Sequence, residues 1–284
     1  MTMSDAPNFS FGSATEQAYF AETHRPFLER FSSLKAALEI AFVRKETAKC
    51  RIDVIIFYLG RLCVEDFMEV LLLCANGYGV GATKLLRGMY ERLVTARYLC
   101  IHPAEIDNFL DFHWVDQYRL AQAIEKVFPE GTLDNAKLTD LKSRRDAALP
   151  RFMVTDCKKC GTKRPNYTWS KLDFVSMARA TGPTGDRIVE AYYLPTQRAH
   201  STVAAVLKRL TEKEGGSLIS FDSGAQRKDA STALITAHNL IINVLDLQKD
   251  HFKLSTLDAP LQKCLQDFQE IWTRTDEASD RRTP

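Results

Sequence analysis

The stretch Val54–Ala75 reads VIIFYLGRLCVEDFMEVLLLCA and is the most apolar run in the chain. Its few charges decide how it is read. Arg61, Glu65 and Glu69 recur at every fourth residue, which stacks them in one stripe along a helix. A bilayer-spanning helix would have to carry that stripe into hydrocarbon. The run is therefore expected to be a core helix with one exposed or partnered face, beginning near Glu46. It ends where Asn76-Gly77-Tyr78-Gly79 can supply positive φ.

Working outward, the segment from Gly81 to Ile101 is apolar around most of its circumference, through Leu85, Leu86, Met89, Leu93, Val94 and Leu99. A helix of that kind belongs at the centre of a bundle. His102-Pro103 halts it. Before these two, helical spacing starts near Ser13 or Thr15, is divided by Pro26 and continues through Phe42. After them, helices are expected over 103–128, 133–148, 170–180, 186–193, 195–212, 227–251 and 259–273. No internal repeat, heptad run or convincing alternating strand is visible. The fold class is all-α, a helical bundle of roughly eight to ten helices. One irregular excursion, Pro150 to Thr168, carries a Cys-x-x-Cys pair. Residues 1–12 read as a flexible N-terminus, 13–273 as a single domain, and 274–284 as a flexible tail.

The 284 residues are 45% hydrophobic and 26% charged, with 38 basic against 36 acidic side chains. Those proportions exclude a disordered chain and a strongly basic nucleic-acid coat protein, while leaving room for a local basic patch. The N-terminal residues show no basic segment followed by an apolar run, the mark of a secretory leader. Seven cysteines is an odd number. Cys50, Cys63, Cys74, Cys100 and Cys264 sit singly in helical patterns and are expected to be reduced, buried thiols. The expected location is the cytoplasm, with no membrane partner.

Three clusters carry chemistry. Arg87, Glu91 and Tyr98 fall on one line of the central helix, so Arg87 and Glu91 can pair. The pair reads either as a structural link between helices or as the wall of a polar, anion-binding pocket. The second cluster runs from Tyr193 through Thr196 and Arg198 to His200 and Ser201. If Thr196 caps a helix there, His200 and Ser201 lie near a positive helix end. His200 is then an acid–base candidate, with Tyr193, Arg198 and Ser201 as helpers. It reads equally well as a packing histidine.

The third cluster is Cys157-Lys158-Lys159-Cys160-Gly161, which has the spacing of one zinc knuckle. No second Cys-x-x-Cys and no following histidine completes it, so zinc would need ligands from elsewhere. A redox pair and a reduced surface turn are the other readings. No other cofactor is expected. Lys142, Arg144, Arg145, Arg151, Lys158, Lys159, Lys163 and Arg164 make the same region locally basic, able to track phosphates or simply to be solvated.

The run Leu85-Leu86-Arg87-Gly88-Met89-Tyr90-Glu91-Arg92-Leu93-Val94-Thr95-Ala96-Arg97-Tyr98-Leu99 resembles the signature helix of the bacterial domain-of-unknown-function 5677 family. Tyr167-Thr168-Trp169-Ser170, Met177-Ala178, Tyr193 and His200-Ser201 continue the resemblance, which covers roughly 52–210. It implies an all-helical fold, loosely likened to HEPN-type bundles, some of which are ribonucleases or defence components. It also marks Arg87, Glu91, Trp169, His200 and Ser201 as candidate site residues, without a reaction. The Arg-then-His spacing of HEPN nucleases is met by Arg97 and His102, with Pro103 following at once.

No complete catalytic set is visible. The preferred expectation is a module that binds nucleic acid or a protein partner in a defence or stress system. One alternative is a HEPN-like ribonuclease using His200 with Arg87 or Arg198. Another is a small-molecule-binding bundle with Arg87, Glu91 and Trp169 in its pocket. A homodimer is compatible with a bundle, although no interface signal is evident.

Overall fold

The computed structural model describes residues 12–44, 50–129, 131–156, 159–200, 202–207, 209–212 and 219–280. Ser13 starts the first helix, its hydroxyl accepting from the Glu16 N–H at 3.4 Å. α1 (Ala14–Thr23) gives way at His24 to α2 (Arg25–Phe42), with Pro26 in the first turn of α2, where its missing N–H is harmless. α3 (Arg51–Ala75) begins after Cys50, and Gly77, at φ +75°, turns the chain into α4 (Gly79–Ile101). A 3-10 turn at Pro103–Glu105 leads to α5 (Ile106–Val127), followed by α6 (Asn135–Ala148).

Strands β1 (Met153–Thr155) and β2 (Lys163–Pro165) form an antiparallel hairpin around the cysteine pair. α7 (Phe174–Ala180) is capped by Asp173, whose carboxylate accepts from the Ser176 N–H at 2.8 Å. A 3-10 segment and a π-helical turn, Val189–Tyr193, run into α8 (Leu194–Ala199) and α9 (Val203–Leu207). A second hairpin pairs β3 (Leu210–Glu212) with β4 (Ile219–Phe221). α10 (Arg227–Phe252) and α11 (Asp258–Asp280) complete the order.

The chain is mainly all-α, with two corrections to the sequence reading. Strands exist, but at three residues each they are too short to show alternation. The helix expected over 195–212 is broken. His200 takes an extended ψ of 153°, and the Thr202 hydroxyl then accepts from the Ala205 N–H at 3.2 Å. A side-chain cap of that kind competes with helix continuation.

The chain divides into two compact units, residues 1–97 with 182–284, and residues 98–181, the division falling within α4. In the smaller unit Phe112, Val115, Ala148 and Phe152 are buried between α5, α6 and the turn after α6, with Leu149 and Trp169 against them. Phe112 and Phe152 meet edge to face at 5.0 Å.

In the larger unit α10 is the central element. Its buried residues, among them Ala233, Leu234, Ala237, Leu240, Ile241 and Leu245, together cover about two thirds of the circumference and leave a narrower polar face with Thr232, Asn239, Asn243, Asp246 and Asp250. By length and composition α10 also passes as a membrane span, yet most of that apolar window is buried. α3 packs along it: the Cys74 thiol donates to the Ala230 carbonyl at 3.2 Å, and Gln248 donates to the Ile56 carbonyl at 2.9 Å. The first turn of α4 comes so close that a Cβ on Gly79 would lie 2.3 Å from the Ala230 nitrogen and 2.4 Å from the Gln226 oxygen. Only glycine fits that approach. Burial holds the Cys74 thiol up at about 12 and the Cys264 thiol at about 11, so both stay protonated. Cys50 departs from the expected burial and is exposed at the start of α3.

α11 closes on α10 through His238, which is 3% exposed. The Trp272 indole donates to its Nδ1 at 3.1 Å, and Phe27 and Phe268 pack edge-on. Burial pushes the imidazole down to about 4 from an ordinary 6.5. The native state holds it neutral, whereas the unfolded chain takes up a proton near its ordinary value. Its contribution is therefore complete above that value and is lost as pH falls toward the folded-state one, by roughly 3 kcal/mol at most. Denaturant unfolding at pH 7 and pH 4.5 is expected to show this loss, and His238→Gln, which keeps an acceptor for Trp272, should show a flatter dependence.

Candidate functional site

The histidine segment differs locally from its sequence reading. The π-helical turn passes directly into α8, the Leu194 N–H bonding to the Val189 carbonyl, so no free helix start exists near Thr196. The Thr196 hydroxyl donates backward to the Tyr192 carbonyl at 2.6 Å. Arg198 lies in the last turn of α8, and His200 is the exposed residue that ends it. The positive helix end invoked for His200 is thus absent. Ser201 lies outside the described residues. Tyr193 is exposed and meets Tyr192 edge to face at 5.6 Å.

Arg198 nevertheless reaches a site. It lines a cleft of about 310 Å³ with Val80, Arg209, Asp222, Arg227, Lys228 and Asp229. The floor is the start of α10. Gln226 precedes that helix without capping it by its side chain. The first backbone N–H groups of a helix have no partner within it and carry partial positive charge.

Around this floor stand four cationic side chains, Arg198, Arg209, Arg227 and Lys228, against the two acids Asp222 and Asp229. Arg198 holds Asp229 in a two-pronged contact at 3.3 and 3.4 Å, each side chain 17% exposed. Arg209 donates to the carbonyls of Asp222 and Gly224. The Asp222 carboxylate accepts from the Gly224 N–H at 2.8 Å. Arg227 bonds Glu16 at 2.8 and 2.9 Å and lies over the Tyr19 ring, and this contact holds the Glu16 carboxyl below its usual range. Lys228 is exposed and pairs with no acid among the described residues.

The cleft therefore keeps a cationic excess at a helix start, an arrangement suited to an anion. Sequence reading reached only Arg198. Arg227-Lys228 at the head of a strong helix was the available signal, but Arg209 enters through a hairpin that the sequence did not reveal.

Arg87 and Glu91 pair as expected, Nε to Oε1 at 2.8 Å, with Arg87 also 5.0 Å from the centre of the Tyr192 ring. The pair is about one-third exposed. Arg97 is committed to Asp246 at 2.8 Å and to the Asn243 carbonyl at 3.2 Å. In the smaller unit His102 stacks on Tyr98 at 4.4 Å. There Tyr98 and Trp169 meet at 5.9 Å, and Trp169 also packs against Phe109. Tyr98 is nearly buried, which raises its hydroxyl pKa.

The basic run in the smaller unit is largely neutralised by acids distant in sequence or on the same helix face. Arg144 pairs with Asp140, Lys142 and Arg145 with Asp146, Arg151 with Asp111, and Arg164 with Asp156. Lys159 and Lys163 are exposed. Cys157 and Lys158 lie outside the described residues. The Cys160 sulfur is 2.8 Å from the Thr162 hydroxyl. Among the described residues no group of three or more histidine, cysteine or acidic side chains is placed to hold a metal.

A family model described as a family of unknown function, DUF5677, matches residues 53–217, more than half of the chain. The chain belongs to that family. No curated protein and no solved structure matches it.

Because the Arg87–Glu91 pair is part-exposed and spans one helical turn, solvent screens it heavily. Arg87→Met is expected to cost less than about 1 kcal/mol of stability in denaturant unfolding. A loss several times larger would show the pair to be a buried link between elements.

Proposed function

We propose that this protein binds nucleic acid through its phosphates, as a non-catalytic module, and that the cleft at the start of α10 is the contact. One observation carries the reading. Arg198, Arg209, Arg227 and Lys228 converge on a helix N-terminus with only two acids among the lining residues. Guanidinium groups and helix N–H groups are the donors that phosphate oxygens take up best. The setting we propose, a cytoplasmic defence or stress role in bacteria, is supported by the family resemblance alone.

One observation favours a ribonuclease as the second reading: exposed His200 follows by two residues the Arg198 that lines the cleft. That reading uses His200 as acid–base and Arg198 as phosphate holder. Among the described residues no oriented base–nucleophile pair supports it.

The test is anisotropy titration of a labelled single-stranded RNA at several salt concentrations, with the RNA examined afterwards for cleavage. Saturable binding that weakens with salt is expected. Lys228→Glu should weaken it about tenfold and reduce the salt slope by roughly 0.7 for each phosphate the variant no longer neutralises. An acid in the first turn of a helix is favourable, so the variant should fold. Lys163→Glu, in the other unit, should bind as wild type. Wild-type affinity in Lys228→Glu, or no binding at all, overturns the reading. Cleavage that disappears in His200→Ala would favour the enzyme.

A further inference from the structure

The exposed face of α3 has an internal symmetry. Val54, Tyr58, Leu62, Met68 and Leu72 are large apolar side chains left in solvent, Tyr58 at 59% and Leu72 at 66% exposure. At 100° per residue they fall within about a third of the helix circumference, together with Arg61 and Glu65. An exposed face with large apolar side chains at both ends is a candidate interaction site.

The order of residues along this face is palindromic in character about the level of Cys63. Position 54 mirrors 72, an apolar residue on an apolar residue. Position 58 mirrors 68, tyrosine on methionine. Position 61 mirrors 65, arginine on glutamate. Two such helices laid antiparallel about a two-fold axis at that level therefore match at each of these mirrored positions. Val54 would meet Leu72, Tyr58 would meet Met68, and Arg61 would meet Glu65, each twice. Within one chain Arg61 and Glu65 are only loosely joined, at 3.9 Å with both half-exposed. They are free to bond across the axis.

We infer that α3 is a homodimerisation surface and that its occupant is the α3 of a second copy of this chain. The charge pattern selects a copy of itself over an unrelated partner. An isologous contact needs opposite charges at mirrored positions, and the stripe supplies them. The apolar residues at both ends supply the area, over a helix length of about 27 Å. Arg61 and Glu65, read from the sequence as members of an exposed or partnered stripe, become partnered.

Sedimentation equilibrium at tens of micromolar tests this directly. The wild type should give twice the chain mass of 32.2 kDa. Tyr58→Lys should give the monomer mass, with an unchanged circular-dichroism spectrum. Arg61→Glu and Glu65→Arg should each weaken the dimer at least tenfold, by placing like charges across the axis. The double swap, Arg61→Glu with Glu65→Arg, should restore it. A wild-type monomer would overturn the inference and leave the face to a different partner. A dimer indifferent to Tyr58→Lys, or single and double swaps that behave alike, would overturn it equally.

Discussion

The burial of most of α10 is the constraint from which the rest of the larger unit follows. A helix of 26 residues that buries about two thirds of its circumference has only a narrow polar face, with Thr232, Asn239 and Asp250, to give to water. Other helices must enclose it, and the details of the unit are the ways they do so. Gly79 lets α4 approach backbone to backbone. Cys74 and Gln248 satisfy carbonyls across the α3–α10 contact. His238 and Trp272 satisfy each other where α11 closes. A buried polar atom without a partner costs about 1–3 kcal/mol, so each of these bonds offsets the desolvation of the groups that make it.

The same burial produces the cleft. The first turn of α10 must emerge from the core if the chain is to enter the helix. Arg227 and Lys228 in that turn are then exposed, beside the side chains that the preceding hairpin and α8 bring there. Acids are sparse among them. Asp229 is used to anchor Arg198, and Asp222 spends hydrogen-bonding capacity on its own turn. The other conspicuous basic region shows what a neutralised surface looks like. Arg144, Arg145, Arg151 and Arg164 each have a carboxylate in contact. The cleft differs only in degree, since Arg198 and Arg227 are paired there with Asp229 and Glu16 while Lys228 pairs with no acid among the described residues.

Most of the helical fold was legible because its signals are local. The apolar face of α3, the stop at Asn76-Gly77, the proline at the start of α2 and the extent of α10 can all be read from spacing and capping chemistry. The Arg87–Glu91 pair follows from a four-residue interval. The break at His200 was less visible, since Ala199 to Val206 contains nothing that forbids a helix. It is decided by Thr202 capping a new one. The hairpins were hidden by their length, and Arg209 and Lys228 become neighbours of Arg198 only through tertiary packing. The functional site is thus the part of the molecule least written in any one segment.

Hydrogen exchange with and without single-stranded RNA tests most directly the claim that the start of α10 is the binding floor. The account predicts slowed exchange at the amides of Arg227, Lys228 and Asp229, with the already protected middle of α10 unchanged. Slowing confined to residues 142–164, with no change at the head of α10, would contradict it.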